Sequence, residues 1–152
     1  MKLKHSTMLS LGGIVWLVVG VSLLRLGLKF LADQPEVVPA SLPLLNWMKT
    51  FFSHGNAVVI LIATGLFVGY FKGRYVLGMS AERENTRIKS LPNPAPAQYL
   101  YSKRFYMLVA IMMSIGMAMR FVPIDIRGWV DVAVGTALVN GSVVYFKRAV
   151  KA

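Results

Sequence analysis

Arg25 and Asp131 are the charged residues whose positions call for chemistry. Arg25 stands near the end of a long apolar run, with Ser22 and Lys29 about one turn away along the same helical face. A basic side chain inside hydrocarbon costs roughly 2.5–3.5 kcal/mol on insertion scales, so Arg25 is expected to face protein, water or lipid phosphate. Asp131 is its natural partner. It is expected in the first turn of a later helix, where a carboxylate also complements the helix dipole. Lys29 and Arg120 complete this outer polar group, and Asp125 and Arg127, in an expected tight loop over 122–128, extend it. Such a group serves either as a structural ion-pair girdle or as a vestibule that attracts an anion or a phospholipid headgroup.

Asn140 is the one amide deep in an apolar run, close in sequence to Thr136, and Thr64 occupies a comparable depth in an earlier run. These three either hydrogen-bond between helices, at about 0.6–2 kcal/mol each, or line a polar pathway. No acidic residue falls at the middle of a run, which argues against a proton-coupled carrier with a titratable group at the midplane. Met113 and Met117 form Met-x-x-x-Met, a soft thioether pair of the kind Cu(I) takes. No capture segment rich in Met or Cys accompanies them, so methionine reads as adaptable packing and no metal is expected.

Enzyme chemistry finds little purchase. The chain has no cysteine and two histidines, His5 and His54, neither beside an acid in sequence. That excludes a disulfide framework, a thiolate metal site and a cysteine nucleophile. A nucleophile elbow, a zinc-type His-Glu pairing and a phosphate loop are all missing, so neither catalysis nor a cofactor is expected.

The elements that must position these residues follow from composition. Of 152 residues, 56% are hydrophobic and 15% charged, against about 45–50% and 25% in a soluble domain. The excess apolar surface requires a membrane. Four runs, at about 8–28, 55–71, 105–121 and 129–146, approach the roughly 17–25 helical residues that cross a core about 30 Å thick. The expected fold is therefore an all-α, four-helix membrane bundle forming a single polytopic domain. The first run is too long for a secretion-signal core and lacks a small-residue cleavage site, so it reads as a retained anchor.

Between the first two runs, segment 41–52 reads as a short interfacial helix, with Ser41 as its cap, Pro43 in its first turn and Trp47 at headgroup depth. The loop 73–104 begins as a helical continuation of the second run and ends in Pro92, Pro94 and Pro96, a stiff strap leading to the third. With the termini and this loop on one side, that side holds twelve basic residues against two acidic ones, and the other holds five against four. This places both termini in the cytoplasm, with the bacterial inner membrane as the expected setting. The net charge of +11 then serves topology and contact with anionic lipid on the inner side, not nucleic acid, for which no motif is present.

Small residues recur in order: Gly65, Gly69 and Gly73 at fours, Ala133, Ala137 and Gly141 at fours, and Gly13, Gly20 and Gly27 at sevens. Lipid supplies no hydrophobic force between helices, so such seams drive association by close backbone approach. They close a bundle within one chain or join copies into a homo-oligomer. A faint parallel duplication is also visible, since the second and fourth runs both end in Tyr-Phe-Lys. The sequence favours a small homo-oligomeric transport or channel module. The alternative is a non-transporting membrane scaffold or accessory subunit, holding a larger membrane protein or anionic lipid.

Overall fold

The computed structural model describes residues 2–35, 39–92, 95–96 and 103–150. Side chains are described for 4–35, 39–92 and 114–150, and within 103–113 for Lys103, Tyr106, Met107 and Ala110. Apart from a two-residue antiparallel pairing of Lys2–Leu3 with Ala95–Pro96, the regular structure is helical. The helices are α1 (His5–Ala32), α2 (Pro43–Lys49), α3 (His54–Lys72), α4 (Gly78–Lys89), α5 (Lys103–Ala118) and α6 (Ile124–Val150). A single π-helical turn, Gly73–Leu77, joins α3 to α4 without a break, and a 3₁₀ turn, Met119–Phe121, follows α5.

Among the described residues, three helices are long and apolar enough to cross a membrane: α1, the 36-residue rod from His54 to Lys89, and α6. They pack together, with α6 in the middle. Along α1, Gly20 and Gly27 lie against Gly135 and Gly128, and Gly13 faces Tyr145 and Phe146, so the two helices are antiparallel. A methyl group at Gly27 would sit 2.7 Å from the Gly128 carbonyl oxygen, and one at Gly135 would sit 2.6 Å from the Leu24 nitrogen. Only glycine permits that approach. On its other side α6 receives Gly65, Gly69 and Gly73, which meet Val132, the Ala133 carbonyl with Thr136, and Ala137 in turn. The rising order makes α3 and α6 parallel. The stripe that could have joined two copies is thus occupied within the chain.

The start of α1 and the ends of α4 and α6 consequently lie together. This basic end holds a cluster built from Met8, Leu9, Trp16, Ala81, Ile88, Leu138 and Tyr145, in which the Trp16 and Tyr145 rings lie 5.3 Å apart. Gly141 leaves room for the Trp16 ring. The opposite end is closed by Leu31, Leu42, Leu45, Met48, Ala57, Leu61 and Val132, so α2 lies over it.

The expected four-helix bundle is therefore, among the described residues, a packed core of three. In α5, expected as the third span at 105–121, Tyr106, Met107, Ile115 and Met117 are exposed, and Gly116 faces open space. With one side of α6 given to α1 and another to α3, none of the described side chains of α5 joins a seam on the core. The spans also differ at their edges. The expected loop over 122–128 is helical from Ile124, because the Pro123 carbonyl accepts from Arg127 N–H at 3.0 Å and starts α6 early. Asp131 accordingly lies two turns into α6 and not in its first turn.

Candidate functional site

Polar and aromatic side chains gather where α2 caps the bundle. Helix α2 begins at Pro43, which has no N–H, and its preceding residue, Leu42, has no capping side chain. The open amides of Leu44 and Leu45 instead donate to Asp125 Oδ2, at 2.8 and 3.0 Å, from 81 and 80 residues away in sequence. Asp125 Oδ1 accepts from Ile126 N–H at 2.8 Å. The carboxylate is fully buried, and the positive ends of α2 and α6 both face it. Ser41, the expected cap, is replaced by Asp125 because a charged acceptor can serve two amides at once.

The expected pairing of Arg25 with Asp131 does not form. Asp131 pairs within its own helix, with Arg127 Nε at 3.9 Å, and Arg127 also lies 5.0 Å over the Phe30 ring. Arg25, Lys29 and Arg120 are exposed and make no ion pair among the described residues. The reason is geometric: Gly27 and Gly128 bring α1 and α6 into backbone contact, and the α1 face carrying Arg25 points away from that seam. Sequence spacing identified which residues were costly but not which way the seam would turn them.

Deeper in the spans, each polar group bonds back onto its own helix. Asn140 Nδ2 donates to the Thr136 carbonyl at 3.0 Å, Thr136 Oγ1 to that of Val132 at 2.8 Å, and Thr64 Oγ1 to that of Leu61 at 3.0 Å. One bond crosses between helices, from Trp129 Nε1 to Thr64 Oγ1 at 3.1 Å. Ala133, Ala137 and Gly141 are buried against the rod and Trp16 as packing positions. The Met113 side chain lies outside the described residues, and Met117 is exposed.

That Trp129–Thr64 bond marks the base of a groove of about 620 Å³. From α2, Leu44, Trp47 and Met48 roof it, with Phe52 just beyond. Leu61 and Thr64 of α3 form one wall, and Ile126 and Trp129 of α6 the other. Among the described residues, no charged side chain lines it.

Two features escaped the sequence reading. Gly128 and Gly135 stand seven apart, matching Gly20 and Gly27, and that shared period was the available signal for the α1–α6 seam. The role of Asp125 had no local signal, since its partners lie on a distant helix. No protein-family model matches the chain, and no curated protein or solved structure matches it.

Proposed function

We propose that this chain is a membrane scaffold or accessory subunit that carries no solute, with its basic end in the cytoplasm of a bacterial cell. The observation that carries this reading is the saturation of the packed core: α6 meets α1 and α3 at backbone distance, and Asn140, Thr136 and Thr64 bond to their own helices. A solute path needs polar groups turned toward a shared lumen, and these are turned back. Orientation rests on the basic residues at the ends of α4 and α6, among them Arg83, Arg87, Lys89, Lys147 and Arg148. They also suit anionic lipid on that side.

Helix α5 is the element offered to a partner, and it makes a fourth crossing. Residues Ala95–Pro96 pair beside the N-terminus at the basic end, whereas α6 begins at the other end, so the chain must return the full length of the core between them. The helix supplies about 24 Å of that path. Exposed Ile115 and Met117, with Gly116 between them, present an apolar face that is open among the described residues.

The deciding experiment is native mass spectrometry of the tagged full chain in lipid particles taken directly from cells. A stoichiometric complex with a larger membrane protein is expected, and Gly116→Phe should weaken it. A homogeneous homo-oligomer that conducts solute in vesicles, and stops conducting when Asn140 becomes alanine, would overturn the proposal in favour of transport.

A further inference from the structure

We propose that the groove under α2 holds one acyl chain of a membrane phospholipid. The lining decides the chemistry of the occupant. Its hydroxyl, Thr64 Oγ1, already donates to Leu61 and accepts from Trp129, and the indole N–H of Trp129 is used by the same contact. No lining side chain among the described residues is charged, so water gains little there and a polar ligand would find no partner.

Position decides its source. Thr64 is ten residues below His54 at the start of α3, about 15 Å along the helix, and α3 belongs to a membrane-spanning rod. The groove therefore runs from the interfacial helix down into the apolar layer, along the direction in which acyl chains lie. Size decides against a protein occupant. A helix with its side chains is about 10 Å across, whereas about 620 Å³ falls within the ~300–1,000 Å³ of small-molecule sites.

The roof is fixed in advance. Asp125 holds the first turn of α2 through two amide bonds, so the groove exists before the lipid arrives and little ordering is needed on binding. Exposed Trp47 sits at the mouth, where an indole suits the boundary between headgroups and chains. The site requires no assumption about α5 or about a protein partner.

The test uses the full chain in detergent micelles titrated with dioleoyl phosphatidylglycerol and read by native mass spectrometry. The wild type should retain one lipid per chain through detergent washing. Thr64→Phe, which fills the groove, should lower retention at least tenfold. Phe71→Ala, on the rod outside the groove, should retain it. Equal retention by Thr64→Phe, absence of a tightly held lipid, or a dimer that Thr64→Phe disperses would each overturn the proposal.

A second readout covers a folding failure of Thr64→Phe. In the Trp16→Phe background, a single chain-brominated phosphatidylglycerol per protein should quench the fluorescence of Trp47 and Trp129, and the quenching should persist against a tenfold excess of unbrominated lipid. Immediate loss of quenching on that addition would show ordinary bilayer contact and refute a held chain.

Discussion

Asp125 and Asn140 are both polar and both lie in α6, yet they are expected to respond oppositely to replacement. Removing the Asp125 carboxylate leaves two α2 amides unsatisfied in a closed site, so Asp125→Ala should cost about 1–3 kcal/mol. Hydrogen exchange at Leu44 and Leu45 should rise in that variant while the amides of α6 beyond its first turn stay protected. Asn140 gives up one bond to its own helix, and Asn140→Ala should change unfolding free energy by no more than about 0.6 kcal/mol, measured by steric trapping in micelles. The sequence made the cost of Arg25 legible, because a basic residue at the end of an apolar run is visible without a structure. Its partner was not legible. Asp131 had a guanidinium one turn earlier on the same helix, and the shorter tether won.

Glycine at fixed intervals was the most informative pattern in the chain, and the seams test whether its positions are interchangeable. Gly20→Val and Gly27→Val push side chains into the backbone of α6 and should each destabilise by at least about 1–3 kcal/mol. Gly116→Ala meets nothing, and on helix propensity alone should be neutral or stabilising by up to about 1 kcal/mol. The same steric-trapping measurement ranks all three. Helices α1 and α6, the rod and the short α2 could be read from hydrophobic runs and proline, though α6 starts five residues before the expected 129. What could not be read was which helices touch. Three stripes of small residues allow several pairings, and only the complementary sevens of α1 and α6 against the fours of α3 select this one.

Topology can be tested without engineering away native thiols, because the chain has no cysteine. Single cysteines at Thr50 and Arg120 should react with an impermeant maleimide in intact cells, and those at Ser90 and Lys103 only after permeabilisation. Labelling of 103 and 120 from one side would show that α5 does not cross. At this level the structure also ties its two ends together. The rod from His54 to Lys89 is about 54 Å long, well beyond the ~30 Å hydrocarbon layer, so α4 projects past it as a direct extension of α3. The π-turn at Gly73–Leu77 inserts a five-residue step in the buried face, between Gly73 and Gly78, after which Ala81, Asn85 and Ile88 continue inward. That turn therefore works as a phase corrector. Deleting one residue from it would rotate α4 by about 100° and carry Asn85, whose buried amide has no hydrogen-bond partner among the described residues, out of the apolar cluster and into water. The arm's inward face is thus set by a single residue's worth of winding.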